Sequence, residues 1–203
     1  ISLLTIRGCP YKCSYCSHPS WYKYTRFSSP EYVISEIEYC MKRYKTSSFQ
    51  FFDDTFTIKK SRILKICDLI RERGLNIKFL ILTRVDLIDE EIIQALKRAG
   101  CSCISFGIES GDQTILDKMR KGTTVEQAKR AFSLCKKYDI DIVAYFIIGY
   151  PGEKRENIQN TIRFIQETEP DWFKANIFVP YPGSPLYEEL LKEGKISDFW
   201  KDM

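Results

Sequence analysis

The sequence predicts an α/β fold in which six consecutive β/α units form a parallel sheet. Short apolar runs alternate with amphipathic helical patterns along the whole chain. Two of these runs, "KFLILT" and "IVAYFIIG", are nearly continuous, which is typical of strands buried on both faces of a parallel sheet. Six strands are too few to close an eight-stranded barrel. The residues alone therefore leave two architectures, an open partial barrel and a doubly wound sheet.

Six segments are predicted as strands because they are short, apolar and bounded by turn residues or charges. In chain order they span residues 1–6, 48–53, 76–83, 101–109, 140–149 and 172–180. In both candidate architectures ligands bind beyond the carboxyl ends of the strands. We therefore expect the residues that follow the strands to form one site.

Six further segments have apolar residues at helical spacing. They span residues 29–45, 59–74, 89–100, 124–139, 154–169 and 184–194. Ser29 followed by proline is a helix start signal, as is the threonine pair that ends at Thr124. Gly74 and Gly100 are predicted to end the second and third helices. No linker or low-complexity stretch divides the 203 residues, so we expect one domain over 1–203.

Composition excludes several classes of protein. Hydrophobic residues make up 44% and charged residues 29%, as in an ordinary globular protein. The net charge of +4 is mild, and basic residues are spread among acidic ones, so the charge does not argue for nucleic-acid binding. No apolar run reaches the ~18 residues that a membrane span needs, and there is no signal-peptide pattern. The chain begins at Ile1 inside a predicted strand, so we expect it to be part of a longer protein.

Five of the eight cysteines lie in apolar, periodic segments. Free cysteine is among the most buried residue types, so we interpret these five as core thiols. Reduced core thiols favour a reducing compartment, and we expect a cytoplasmic protein. The five are Cys40, Cys67, Cys101, Cys103 and Cys135.

The other three cysteines cluster in "RGCPYKCSYC", directly after the first strand. Cys9, Cys13 and Cys16 lie within eight positions, so three unrelated loop cysteines are not expected by chance. A structural zinc site would need a fourth ligand, for which His18 is the candidate, but zinc motifs usually pair ligand sets across a longer spacer. An iron–sulfur cubane with three cysteine ligands would keep one iron open. We favour the cluster over zinc.

The run "CPYKCSYC" matches C-x-x-x-C-x-aromatic-C, and in this it resembles the signature of radical S-adenosylmethionine (radical SAM) enzymes. The resemblance extends from the first strand to the last helix. It implies a partial (β/α)6 barrel, three quarters of a TIM barrel, with parallel strands and outer helices. It also implies a 4Fe–4S cluster on Cys9, Cys13 and Cys16, with SAM bound to the open iron.

The same resemblance implies the chemistry. The reduced cluster passes one electron to the sulfonium of SAM, which yields methionine and a 5′-deoxyadenosyl radical. The radical then abstracts hydrogen from a small-molecule substrate, and the electron comes from a donor such as flavodoxin or ferredoxin. The protein positions the cofactor and excludes water.

By this resemblance Tyr15 and one of two aspartates, near the first two strands, are expected to contact SAM. Tyr15 would lie against the adenine region. In "FFDDTF", Asp53 or Asp54 stands where the family often has Gly-Gly-Glu, and either could accept hydrogen bonds from the SAM ammonium. We also expect at least one of the two aspartates to hold a turn or cap a helix.

The next two strands end in further candidates. Arg84 could pair with the SAM carboxylate or with a substrate acid, or it could instead pair with Asp86 or Asp89. In "SFGIESG", Glu109 leaves a buried strand, where a lone carboxylate is costly without a partner, so we expect it to bind SAM. Ser110 follows it in the same run.

After the fifth strand, "FIIGYPGE" resembles the family segment whose backbone lies against adenine. Gly149, Tyr150 and Pro151 are the candidates there, because glycine permits a close backbone approach. "FVPYPGSPLYEEL" and "GIES" resemble the branch that carries an N-terminal cobalamin-binding domain. This implies missing N-terminal and C-terminal regions, cobalamin bound by the former, and methyl transfer, rearrangement or cyclisation. The alternatives are a methylthiotransferase-like enzyme acting on RNA and a zinc-stabilised α/β binding module.

Overall fold

The computed structural model describes residues 1–17, 22–198 and 200–201. The strands are β1 (Ser2–Leu3), β2 (Ile6–Arg7), β3 (Arg26–Phe27), β4 (Ser48–Phe51), β5 (Lys78–Thr83), β6 (Cys101–Glu109), β7 (Asp141–Ile148) and β8 (Trp172–Ile177). The helices are α1 (Pro30–Tyr44), α2 (Lys60–Glu72), α3 (Glu90–Arg98), α4 (Gln113–Lys118), α5 (Val125–Lys137), α6 (Arg155–Thr168) and α7 (Pro185–Lys192). His18, the candidate zinc ligand, lies outside the described residues.

The main sheet has six parallel strands in the order β1-β4-β5-β6-β7-β8. A doubly wound sheet reverses its strand order at a switch point, whereas this order follows the chain from one edge to the other. Sequential order is that of a barrel wall. No pairing joins β1 to β8 within the described ranges, so the wall stays open. The prediction of a partial (β/α)6 barrel is confirmed, and the doubly wound alternative is wrong.

The core lies between the sheet and the outer helices. Phe51, Ile81 and Phe106 point from the sheet toward Ile66 and Phe132 of the helices, and all five are almost fully buried. The strand residues between them face the barrel interior and are half-buried, as the alternation along β5 shows. Burial of one complete row contributes about 2 kcal/mol per large side chain. The nearly continuous apolar runs thus reflect one face packed on helices and one face toward a cavity.

Local signals account for most helix ends. Ser29 caps α1 by accepting the amide of Tyr32, and a proline follows as the first helical residue. Thr124 forms a capping box with Gln127 at the start of α5. Gly100 has φ +99°, and a Cβ there would lie 2.0 Å from the Ile77 carbonyl oxygen, so only glycine fits this turn.

Three features were absent from the predicted set: a two-stranded ribbon, a 3₁₀ turn and a short helix. β2 and β3 form a small antiparallel ribbon, a 3₁₀ turn spans Val85–Leu87, and α4 is a helix of six residues. β8 is also shorter than predicted, and all of its residues are exposed. Within the described ranges, no helix has the length and apolar character needed to cross a membrane.

Candidate active site at the carboxyl ends of the strands

A cavity of about 480 Å³ lies at the carboxyl ends of the parallel strands. Its wall is largely apolar, with Phe52, Leu82 and Tyr145 among the side chains that face it. Eight of the residues predicted from the sequence line this one cavity: Cys9, Cys13, Tyr15, Cys16, Asp53, Asp54, Arg84 and Glu109. Residues from four strand ends therefore meet at the place where barrel enzymes bind ligands.

The cysteine loop is anchored through Ser14, which is buried. Its amide donates to the Met119 carbonyl at 2.9 Å, and its own carbonyl accepts the Leu186 amide at 2.8 Å. Its hydroxyl lies 2.8 Å from the hydroxyl of Tyr150. Tyr150 lies in the segment "FIIGYPGE", and Leu186 lies in "FVPYPGSPLYEEL", which resembles the cobalamin-associated branch. These two segments therefore anchor the cysteine loop through Ser14.

All three clustered cysteines are thiols rather than halves of disulfides. Cys13 is buried, and Cys9 and Cys16 are half-buried. The Cys9 sulfur lies 3.9 Å from the Thr55 hydroxyl, and the Cys13 sulfur lies 3.9 Å from the Arg84 guanidinium. In the described ranges no three His, Cys, Asp or Glu side chains are arranged to hold a single metal ion. The three thiols instead share the wall of the cavity.

Asp53 is fully buried and turned toward the backbone at Thr5 and Ile6, where β1 leads into β2. Its Oδ1 accepts the amides of Thr5 and Ile6 at 2.6 and 2.7 Å, and its Oδ2 accepts the Thr5 hydroxyl at 2.6 Å. Arg62 donates to the same threonine hydroxyl at 2.9 Å. Burial raises the pKa of Asp53 although these hydrogen bonds oppose it. Asp53 thus fixes the strand that leads into the cysteine loop, whereas Asp54 lines the cavity beside it.

Glu109 lies on the opposite wall and is paired within the cavity. Lys121 donates to its Oε1 at 2.8 Å, and the Tyr15 hydroxyl donates to the same oxygen at 2.9 Å. The lysine is also 3.1 Å from the Tyr15 hydroxyl, so the three polar ends form a triangle. Burial, and then the charge of Glu109, hold the pKa of Tyr15 well above its usual value. Tyr15 therefore stays neutral and keeps its proton for donation.

Backbone geometry brings Glu109 back over its own strand. The pairing of β6 with β7 shifts register between Gly107 and Glu109, and Glu109 has φ +70°, a left-handed conformation that is costly for a glutamate. A Cβ at Gly107 would lie 2.6 Å from the Glu109 Oε1 and 3.1 Å from the Lys121 Nζ. The glycine thus leaves the space in which this ion pair sits.

Arg84 is buried beside the cysteine loop and forms a forked ion pair with Asp86, at 2.9 and 3.1 Å. The alternative pairing with Asp86 that the sequence left open is therefore present. Asp89 is not its partner, since it caps α3 and pairs with Lys60.

Four predicted residues are placed away from the cavity wall. Ser110 is buried between its neighbours, where its hydroxyl lies 3.2 Å from that of Thr161. Tyr150 packs under the cysteine loop. Gly149 has φ +86° with open space around it, and Pro151 follows in the same turn. The roles predicted for these residues toward SAM stay predictions.

The run "MRKGTT", which resembles the same branch, makes Lys121 a weaker candidate from the sequence, whereas Gly107 and Ser14 are not predicted. Gly107 had a readable signal, because it alternates with Glu109 on a strand and so shares its face. The pairing of Lys121 with Glu109 could not be predicted, because only the turn after α4 brings the lysine back to a strand end 12 residues earlier.

The core thiols are separate from this site. Cys67, Cys101 and Cys135 are buried behind the sheet. Burial raises the pKa of Cys67 and of Cys135 to about 12, and it raises the pKa of Cys101 as well. Such thiols stay protonated and inert, in agreement with the interpretation of these residues as core.

The radical SAM superfamily profile matches residues 3–165. The chain belongs to the radical SAM superfamily. Members are enzymes that use a 4Fe–4S cluster and SAM, and the residues found here fit both groups. Three thiols at one cavity match a cluster with an open iron. The cradle over Gly107, with a carboxylate, an ammonium and a phenol, matches a polar ligand. Membership of this superfamily favours the iron–sulfur cluster over the zinc-stabilised binding module.

Two curated relatives and one solved structure illustrate the branch. The chain is 37% identical over 187 residues to an uncharacterized methyltransferase of Pyrococcus horikoshii, covering 92% of this chain and 41% of the relative. It is 34% identical over 197 residues to an anaerobic magnesium-protoporphyrin IX monomethyl ester cyclase of Rubrivivax gelatinosus, covering 96% and 36%. The radical SAM methyltransferase TsrM from Kitasatospora setae, solved with cobalamin and a 4Fe–4S cluster, superposes with a TM-score of 0.87 at 20% identity, covering 95% and 39%. The chain thus spans less than half the length of these relatives.

Proposed function

We propose that this chain is the SAM-cleaving core of a radical SAM enzyme in which Cys9, Cys13 and Cys16 bind the 4Fe–4S cluster. One observation carries the proposal. The three thiols and the Glu109–Lys121 pair, from different strand ends, face the same cavity. A purely structural loop would have no reason to bring reduced thiols to a buried ion pair.

The polar groups of the cavity suggest how SAM is held. Glu109 is fixed by Lys121 and Tyr15, so its carboxylate is positioned before a ligand arrives and can accept from a ribose hydroxyl or an ammonium. Asp54 lines the cavity on the other side and is our candidate acceptor for the SAM ammonium. The oxygens of Asp53 already accept hydrogen bonds from Thr5 and Ile6, so we assign Asp53 to support of the cysteine loop.

The bound cluster supplies one electron, which cleaves SAM to methionine and a 5′-deoxyadenosyl radical. The chain's own contribution is positioning and exclusion of water. Leu80, Leu82 and Tyr145 make the cavity wall apolar, which limits water around a reactive radical. The left-handed Glu109 and the cradle at Gly107 fix the polar groups before binding.

For the whole protein we propose methyl transfer or cyclisation on a small molecule. The two named relatives are a methyltransferase and a cyclase, which supports these reaction classes over RNA methylthiolation. The cobalamin in the TsrM structure supports cobalamin binding in a further, N-terminal part of this protein, next to a core at 1–203. We further propose flavodoxin or ferredoxin as the electron donor.

Anaerobic reconstitution with iron and sulfide, followed by dithionite and SAM, tests the proposal. We expect 5′-deoxyadenosine, detected by mass spectrometry, and its loss in Cys13→Ala. Cys40→Ala is the matched control, because that thiol is buried in α1 away from the cavity and its loss should leave product formation intact. Equal product from both variants, or a colourless wild-type protein that binds one zinc, would contradict the proposal.

A further inference from the structure

One positive charge lies directly against a cysteine of the loop. The guanidinium of Arg84 is 5% exposed, and its Nη1 is 3.9 Å from the Cys13 sulfur. This is hydrogen-bond range for a nitrogen donor and a sulfur acceptor. The residue comes from the end of β5, so its approach to the sulfur is set by the barrel and not by the loop sequence.

The guanidinium is locked in this position. Its Nε and Nη2 fork onto Asp86 at 2.9 and 3.1 Å, and its Nη2 also donates to the Lys121 carbonyl at 2.8 Å. The plane stacks on the Tyr11 ring at 3.8 Å from the centroid. Four of its five N–H groups, the one toward Cys13 included, are thus engaged.

This arrangement is unsuited to a carboxylate ligand. Bidentate binding of a carboxylate needs two parallel N–H groups on one edge of the guanidinium, and Asp86 already takes that edge. The SAM or substrate carboxylate that the sequence suggested as a partner of Arg84 would have to displace a buried ion pair. On the other edge of the guanidinium, Nη2 donates to the Lys121 carbonyl and Nη1 faces the Cys13 sulfur.

We propose that Arg84 is a positioning and potential-setting residue for the cluster, which donates a hydrogen bond to the Cys13 thiolate and makes the cluster easier to reduce. The inference rests on the proposed function, since it requires a cluster on Cys13. One-electron reduction adds negative charge to the cluster. A nearby cation and a hydrogen bond to a ligating sulfur stabilise that form, and both are known levers on iron–sulfur potentials.

Tyr11 and Asp86 both hold the Arg84 guanidinium in position. Tyr11 lies on the cysteine loop between two of the ligands, so its ring ties the loop to the guanidinium by stacking. Asp86 orients the guanidinium and offsets its positive charge. The hydrogen bond from Nη1 to the Cys13 sulfur therefore carries much of the effect on the cluster potential. A lysine at position 84 would keep the charge but has no planar fork to hold it there.

The test is a redox titration of the reconstituted protein without SAM, followed by electron paramagnetic resonance, with dithionite as the one-electron donor. In Arg84→Gln we expect the ratio of reduced to oxidised cluster at a fixed potential to fall about tenfold, which is 59 mV for a one-electron couple. Arg84→Lys should shift in the same direction by less. Arg73→Gln is the matched control, since it removes one positive charge from an exposed surface pair and should not shift the potential.

Iron and sulfide contents distinguish a failure of the proposed function from a failure of the inference about Arg84. A wild-type protein that binds no iron would defeat the proposed function itself. A wild-type protein with its cluster, but with Arg84→Gln and Arg84→Lys at the wild-type potential, would overturn only the inference. The same holds if the variants lose SAM affinity while their SAM-free potentials stay unchanged. If Arg84→Gln assembles no cluster, Arg84→Lys decides. A cluster potential lower than that of the wild type supports the inference, and an unchanged or higher potential overturns it.

Discussion

Asp53 and Glu109 are both carboxylates at the ends of parallel strands, both are buried, and both line the same cavity. They differ in their partners. Asp53 is held by the backbone amides of Thr5 and Ile6 and by the Thr5 hydroxyl, where β1 leads into β2. Glu109 is held by the side chains of Lys121 and Tyr15, which themselves line the cavity.

The difference teaches which carboxylate serves the fold and which serves a ligand. Backbone donors belong to a fixed chain path, so a carboxylate that satisfies them cannot turn to a ligand without leaving buried amides unpaired. Side-chain donors on the cavity wall hold a carboxylate at the cavity itself, where it can accept a further hydrogen bond from a ligand. We therefore propose that Asp53 supports the cysteine loop and that Glu109 is the carboxylate that binds a ligand.

The largest effect is expected for Asp53→Ala. It leaves three buried donors without an acceptor, and we expect a loss of about 3 kcal/mol in the free energy of unfolding. The measurement is urea unfolding. Asp54→Ala is the matched control one position along, and it should cost less than about 1 kcal/mol while reducing SAM affinity. Equal destabilisation by the two substitutions would break the comparison.

Lys121→Met tests the other carboxylate and should lower the free energy of unfolding by about 2 kcal/mol, because the buried Glu109 carboxylate loses its ammonium partner and keeps the Tyr15 hydroxyl as a donor. The double variant Glu109→Gln/Lys121→Met should be more stable than Lys121→Met alone, as a double-mutant cycle by urea unfolding would show. Lys129→Met removes an exposed partner of Glu167 and serves as control, with a change within about 0.5 kcal/mol. A double variant no more stable than Lys121→Met would contradict the pairing.

Gly107→Ala sharpens the comparison at the smallest cost in stability, about 1 kcal/mol, because its methyl group overpacks the site beside the Glu109 carboxylate. Its added methyl group displaces the Glu109 carboxylate, so we expect SAM affinity of the reconstituted protein to fall about tenfold by calorimetric titration. Gly194→Ala is the control. It strains a left-handed turn after α7 but meets nothing within 4 Å, so it should lower stability and leave SAM affinity unchanged. Matching affinities in the two variants would show that the cradle has no role in binding.

Much of the fold and the cysteine motif can be predicted from the sequence, because these features depend on residues close together in the chain. Helix caps such as Ser29 and Thr124 and the apolar strand runs depend on neighbouring residues, and the three cysteines form a contiguous motif. The division of labour between Asp53 and Asp54 depends on Thr5, 48 residues away. The six-residue α4 is too short for a periodic signal. For these features, long-range packing decides what the local sequence leaves open.

The proposed function depends on one iron that the three cysteines leave open. Electron paramagnetic resonance of the reduced, reconstituted protein with and without SAM tests this most directly, alongside iron and sulfide analysis. We expect about four irons and about four sulfides per chain, and a signal that changes when SAM is added. A reconstituted protein without iron, or a cluster signal that SAM leaves unchanged, would contradict the assignment of Cys9, Cys13 and Cys16.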